Sequence, residues 1–170
     1  VRPFRSETER YGEYSKAGEF VYDRPFLWGS KRTGPDLHRE GGKYPHSWHY
    51  NHMLNPRSMS PGSLMPPYPW LFENSLSTKN TAGKIKAMQT LGVPYSDEYR
   101  TNSVGYLEMQ AEEIAEKLNE DPNIEITADR EIIALIAYLQ RLGTDIKGSD
   151  DVWLGPEDPT RKTEVSQLNP

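Results

Sequence analysis

Apolar residues recur at helical spacing through the second half of the chain and predict three helices there, over residues 79–91, 104–119 and 128–142. The second of these has one narrow apolar face, formed by Leu107, Ala111, Ile114 and Leu118. The third is the most apolar segment of the sequence and is predicted to form the spine of the core. Thr127 or Asp129 is expected to cap its start, and Gly143 stands where a helix-ending glycine belongs.

Two further helices are predicted in the first third of the chain. Ser6-Glu7-Thr8-Glu9 has the form of a capping box, which indicates a helix over about 7–20 with Ser6 as its N-cap. Residues 47–54 can form a short helix that ends at Asn55-Pro56, because the residue before a proline avoids helical backbone angles. The pattern as a whole therefore predicts an all-α fold with long irregular loops.

Two stretches are too rich in proline and glycine to be regular structure. Residues 22–46 combine such breakers with Phe26, Leu27 and Trp28, and a loop with apolar side chains needs something to wrap around, which hints at a cofactor. Residues 55–75 hold five prolines and are predicted to form a stiff extended loop that presents Met65.

Composition narrows the functional classes. The 170 residues are 35% hydrophobic and 11% aromatic, which suits one small domain, expected over 1–143, followed by a polar tail over 144–170. A net charge of −5 argues against a nucleic-acid-binding protein, and the absence of cysteine excludes disulfides and thiolate metal sites within this sequence. The sequence has no motif of a catalytic nucleophile, so no catalytic residues are expected.

Several motifs together resemble a known family. The order of Gly34-Pro35-Asp36-Leu37 and Pro61-Gly62-Ser63-Leu64-Met65-Pro66 resembles the axial-methionine half of a class I c-type cytochrome. With Arg2-Pro3-Phe4-Arg5 and Tyr44-Pro45-His46-Ser47-Trp48-His49, the chain is similar to the mono-haem subunit (subunit II, FixO- or CcoO-like) of cbb(3)-type cytochrome c oxidases. The resemblance implies a cytochrome c-like helical domain.

The resemblance also implies a haem c site. Met65 would be the axial ligand of the iron, and the carbonyl of Pro35 would orient the opposing histidine. Lys31 and Arg32 would lie near the haem propionates. The expected pocket walls are Trp28, Tyr68 and Trp70. A c-type haem also needs a Cys-x-x-Cys-His motif, which this sequence lacks. That motif and a membrane anchor are therefore expected upstream of Val1.

The function implied by the resemblance is electron transfer. The domain would pass electrons from a di-haem cytochrome c subunit to the haem-copper catalytic subunit, which reduces oxygen to water, at the periplasmic face of a bacterial inner membrane. The 170 residues alone are expected not to bind haem c. The resulting hole should be closed by displacement of residues 55–75 or by self-association with a second copy of the chain.

Two alternatives stay open from the residues themselves. One is a haem-free structural or docking domain of a membrane complex. The lack of cysteine agrees with it, because these 170 residues cannot attach haem c. The other is a zinc or copper site, since His46, His49 and His52 are spaced by three and His38 precedes them. Hydrogen bonding and surface exposure are the expected roles of these histidines otherwise.

Overall fold

The computed structural model describes residues 5–13, 22 and 39–144. The helices among them are α1 (Arg5–Tyr11), α2 (His46–Leu54), α3 (Pro56–Met59), α4 (Trp70–Glu73), α5 (Thr81–Thr90), α6 (Asp97–Asn119) and α7 (Glu131–Arg141). Within the described ranges the only β pairing is a single antiparallel bridge between Ser75 and Arg130. The all-α prediction is confirmed.

The core lies where α2, α6 and α7 meet. Helix α7 is the centre of it, as predicted, because Ile132, Ile133 and Ile136 are almost completely buried. Helix α6 contributes Ile114 and Leu118, two members of its predicted apolar face. Other buried apolar residues in the described ranges are Tyr50, Pro56, Ala115, Ile124, Ile126 and Leu139. Burial of these side chains is the main force that holds the three helices together.

The segment after α4 is fastened to the start of α7. The backbone N–H of Leu76 donates to the carbonyl of Asp129 (2.7 Å), and that of Glu131 donates to the carbonyl of Asn74 (3.2 Å). The guanidinium of Arg130 donates to the carbonyl of Glu73 at 2.6 Å. These bonds place the end of the proline-rich region beside the central helix.

Helix α1 is shorter than predicted and begins two residues before its predicted start. It ends at Tyr11 because Gly12 adopts a φ of 96°, a conformation in which glycine carries no steric penalty. Ser6 lies inside the helix rather than at its N-cap, so the capping-box prediction was wrong. Residues 14–20, the remainder of the predicted helix, lie outside the described residues.

Helix α6 begins seven residues before its predicted start. Ser96 is its N-cap, and the Ser96 hydroxyl accepts a hydrogen bond from the backbone N–H of Tyr99 (3.0 Å). The carboxylates of Asp97 and Glu98 in the first turn interact favourably with the positive end of the helix dipole. The early start reflects these terminal signals rather than apolar spacing.

The other helices agree with their predicted spans to within a few residues. Helix α7 starts at Glu131 without a side-chain cap, so neither Thr127 nor Asp129 caps it. The Asp129 carboxylate instead accepts hydrogen bonds from the hydroxyls of Ser75 and Thr127. Gly143 follows the helix with a φ of 70°, as expected for a residue that ends one.

Residues 55–75 are less extended than predicted. Pro56 occupies the first position of α3, where a missing backbone N–H costs nothing, and α4 forms one further turn at Trp70–Glu73. The predicted tail over 144–170 lies almost entirely outside the described residues. None of the helices in the described ranges is both long and apolar enough to cross a membrane.

A close backbone approach joins the segment before α2 to the end of α7. The N–H of Gly41 donates to the carbonyl of Leu142 (2.8 Å), and the N–H of Gly42 donates to the side-chain oxygen of Gln140 (2.8 Å). A Cβ on Gly41 would lie 2.8 Å from the Leu142 carbonyl oxygen and closer still to that of Gln140. Only glycine fits there without a backbone shift.

The same substitution should therefore have opposite effects at two glycines. We expect Gly41→Ala to lower the free energy of unfolding by about 1–3 kcal/mol, the usual cost of overpacking. Gly83→Ala, in α5, should raise it by about 0.5–1 kcal/mol, since a Cβ there meets open space and alanine favours helix. Urea denaturation followed by circular dichroism measures both; a Gly41→Ala variant as stable as Gly83→Ala would contradict the packing.

Candidate functional site

Met65 lies on a loop whose two ends are tied together. The backbone N–H of Tyr68, three residues after Met65, donates to the carbonyl of Met53 in the last turn of α2 (3.0 Å). Inside the loop, Gly62 has a φ of 84°, and the Ser63 hydroxyl accepts a bond from the backbone N–H of Met65 (3.2 Å). The loop therefore starts and ends at the same turn of α2 and holds Met65 close to it.

Met65 is half-buried, whereas the side chain before it, Leu64, is 96% exposed. The thioether is thus not enclosed among the core helices. Such burial would have contradicted a ligand role for Met65, because no planar cofactor could then approach it.

The surface of this region includes several large apolar side chains. Large apolar side chains that are well exposed between residues 54 and 70 are Leu54, Met59, Leu64 and Trp70. Tyr68 is half-buried and packs edge-on against Trp70, with ring centroids 5.3 Å apart. Contiguity in sequence with Met65 makes this segment a candidate contact surface.

Aromatic rings are stacked along the start of α2. Trp48 lies between Tyr44 and His52, with centroid distances of 3.9 and 4.5 Å and nearly parallel planes. His49 meets Tyr44 and Trp48 edge-on, at 6.1 and 5.4 Å. Because each ring contacts its neighbours at a preferred geometry, the orientation of the His49 imidazole is held from two sides.

His49 is the unusual member of this group. Only 1% of it is exposed, and its buried Nε2 has no hydrogen-bonding partner in the described part of the chain. Burial, reinforced by the neighbouring His46 and His52, lowers the pKa of His49 to about 4, so its imidazole is neutral at pH 7. A buried polar atom without a partner costs about 1–3 kcal/mol. The prediction that the histidines serve in hydrogen bonding or lie exposed was wrong for His49.

The other two histidines of α2 have different surroundings. Nδ1 of His46 lies 3.2 Å from the Gln140 side-chain amide, which also donates to the carbonyl of Tyr44 (2.8 Å). Burial and the nearby Lys117 lower the pKa of His46, against the opposite effect of Glu113. His52 has a buried Nδ1 without a partner among the described residues, and burial lowers its pKa.

The described residues do not support the metal alternative. Among them, no group of three or more histidine, aspartate or glutamate side chains is arranged to hold a metal ion. Geometry explains this, because residues three and six positions apart on a helix are successively rotated around its axis and do not converge. His38 lies outside the described residues.

Buried charges lie where the two ends of the described chain meet. Arg39 is 5% exposed, and its guanidinium donates to the carbonyls of Glu13 (2.7 Å) and Gly143 (2.9 Å). The neighbouring Glu40 pairs with Lys43 at 3.9 Å. Arg39 thus joins the segment after α1 to the end of α7, and sequence reasoning did not single it out.

The predicted site residues divide into two groups. Met65, Tyr68 and Trp70 are described and share one tethered segment. Those outside the described residues are Trp28, Lys31, Arg32 and Pro35. His49 was considered only as a candidate metal ligand, and its burial was not predicted. The available signal was its spacing of one helical turn from Met53, an apolar residue that packs against the core.

The donor groups agree with half of a haem c site. The half-buried thioether of Met65, on a loop attached to α2, is suited to ligate a haem iron. The buried Nε2 of His49, which lacks a partner among the described residues, could form a hydrogen bond with a polar group of a bound cofactor. The thioether bonds of haem c need cysteines, and the 170 residues contain none. The residues present therefore fit the methionine side of the cofactor.

Comparison with known proteins gives one family. Residues 1–146 match the family described as "Cytochrome C oxidase, mono-heme subunit/FixO". A search of curated proteins gives no match. The match covers most of the sequence, including the described helices and the Met65 loop, and it agrees with the all-α architecture. The chain belongs to the FixO family, the mono-haem subunits of cytochrome c oxidase.

Proposed function

We propose that the chain is the electron-transfer domain of a cbb(3)-type oxidase. It would receive electrons from a di-haem cytochrome c subunit and pass them to the haem-copper catalytic subunit. Family membership supports a role in electron transfer, and the observation that carries the proposal is the tethered loop that holds Met65 half-buried beside α2. The domain itself transforms no substrate; its residues place and tune a redox group.

The residues proposed to hold the haem lie on two stretches of the sequence. Met65 would supply the axial thioether, which raises the reduction potential relative to a second nitrogen ligand. Pro35 would orient the opposing histidine, and Lys31 and Arg32 would offset the propionate charges. Tyr68 and Trp70, with Trp28, would cover the ring. Bound haem supplies a one-electron Fe(III)/Fe(II) couple.

The remaining parts of the proposal concern attachment and surroundings. A Cys-x-x-Cys-His motif and a membrane anchor would be supplied by sequence upstream of Val1, with the domain at the periplasmic face of a bacterial inner membrane. The exposed apolar side chains of residues 54–70 lie next to Met65 in sequence and would face a partner subunit. A short path from the iron to the surface favours electron transfer there.

The test uses the full-length protein, matured in a host with haem-attachment machinery. The protein should show a Soret band and α/β bands. Met65→Leu should lower its midpoint potential by on the order of 0.1 V or more, within the ~0.8 V range that axial ligands span. Met59→Leu is the matched control, because Met59 is a partly exposed methionine on the same segment.

Two results would contradict the proposal. A colourless full-length protein would exclude a haem role and favour the haem-free docking domain, which the lack of cysteine in these residues also fits. Equal potentials for Met65→Leu and Met59→Leu would exclude Met65 as the ligand.

A further inference from the structure

The buried Nε2 of His49 lacks a hydrogen-bonding partner among the described residues, and two aromatic rings hold the imidazole in place. Polar atoms buried in protein interiors almost always have a partner. An exception of this kind, on a residue that is only 1% exposed, points to a bound group beyond the described residues.

The position of His49 relative to the Met65 loop narrows the choice of group. His49 is one helical turn before Met53, and the carbonyl of Met53 binds the backbone N–H of Tyr68. Met65 precedes Tyr68 by three residues, which span at most roughly 11 Å. The Met65 loop is therefore attached to the turn of α2 that follows His49, as expected if one planar macrocycle contacts both residues.

A trapped water is a poorer explanation. A buried water is held by about three hydrogen bonds to polar groups of the protein. The structure offers no protein donor or acceptor to Nε2 among the described residues, and the imidazole is bordered by aromatic rings. A water there would have few partners beyond Nε2 itself.

We propose that His49 is a positioning residue for the haem, and that its Nε2–H donates a hydrogen bond to a propionate carboxylate when the cofactor is bound. This inference rests on the proposed function. The polar groups that a haem brings into a protein are its iron and its two propionates. In the proposed site Met65 and a histidine would hold the iron, so a propionate would be the acceptor that remains. A neutral imidazole carries one ring proton, and a carboxylate beside Nε2 favours the tautomer in which that proton is on Nε2.

This arrangement has a consequence for the redox couple. A hydrogen bond to a carboxylate disperses part of its negative charge, and a more negative propionate favours Fe(III) over Fe(II). Removal of the donor should therefore lower the midpoint potential. In the haem-free chain the same removal takes away an unsatisfied polar atom, so it should leave stability unchanged or raised.

The experiment measures the midpoint potential of the full-length, haem-loaded protein. His49→Phe should lower the potential, and His49→Gln, whose amide nitrogen can occupy the place of Nε2, should restore at least half of the shift. His46→Phe is the matched control on the same helix, because His46 has a partner in Gln140, and it should shift the potential less. In the haem-free 170-residue chain, urea denaturation should show that at least one of His49→Phe and His49→Leu is no less stable than the native sequence.

The outcomes separate this inference from the proposed function. A shift with Met65→Leu but none with His49→Phe overturns the inference alone. Failure of glutamine to restore the potential, or loss of stability in both apolar variants of the haem-free chain, also overturns it, because the imidazole would then serve packing only. A full-length protein without haem overturns both.

Discussion

Ile136→Ala should lower the free energy of unfolding by about 2–5 kcal/mol. Ile136 is 0% exposed on α7, beside the buried Leu118 of α6 in the same core cluster. Truncation removes three carbons from the point where three helices meet, and the cavity can collapse only partly because its walls are rigid helices. Domains of this size are stabilised by about 5–15 kcal/mol in total, so the loss is a large fraction.

Urea denaturation followed by far-ultraviolet circular dichroism measures this effect. Ile136→Val should cost only about 0.5–1.5 kcal/mol, which gives a graded series at one site. Tyr138→Ala is the matched control on the same helix, because Tyr138 is 53% exposed and surface changes usually stay within about 0.5 kcal/mol. Equal losses at positions 136 and 138 would show that α7 does not bury its isoleucine face.

Acidification from pH 7 to pH 4 should remove roughly 2–3 kcal/mol of stability through His49 alone. Its pKa is about 4 in the folded chain and 6.5 ordinarily, and one pKa unit corresponds to 1.36 kcal/mol. The unfolded chain therefore takes up the proton first as the pH falls. The contribution of neutral His49 to the free energy of unfolding is complete above about pH 6.5 and is lost progressively as the pH falls toward 4.

Comparison of pH profiles isolates this contribution. The His49→Phe variant cannot take up the proton, so its stability should fall less than that of the native sequence between pH 7 and 4. The lowered pKa values of His46 and His52 act in the same direction and remain in both proteins. Lowered carboxyl pKa values at Glu113, beside Lys117, and at Asp129 add losses only at the acidic end. Parallel profiles for the two proteins would contradict a buried, neutral His49.

The parts of the fold that follow from periodicity were predictable. In α7, Ile132, Ile133 and Ile136 recur at the spacing of one apolar helix face, and the structure buries all three. The start of α6 was not found by the same reasoning, because its first two turns are mostly polar and its signal is the terminal sequence Ser96-Asp97-Glu98. The helix predicted over about 7–20 runs past Gly12, whereas the positive φ of Gly12 ends α1.

The candidate site was less accessible to sequence reasoning. Met65 was proposed from its motif, and the bond between Tyr68 and Met53 attaches its loop to α2. The burial of His49 depends on how rings from residues 44–52 pack together, which no spacing rule specifies. The close approach at Gly41 depends on a contact with residues about a hundred positions later. All haem-site assignments stay predictions, namely those of Trp28, Lys31, Arg32, Pro35, Met65, Tyr68 and Trp70.

The bond from Arg39 to Gly143 sets an order for biosynthesis. Its partners are 104 positions apart, so the arginine leaves the ribosome long before its acceptor exists. At about 5–20 residues per second, this interval lasts roughly 5–20 s. During it, Arg39 and the segment after α1 have no end of α7 to join. This contact therefore forms late, after α7 has been synthesised, whatever local helices form earlier.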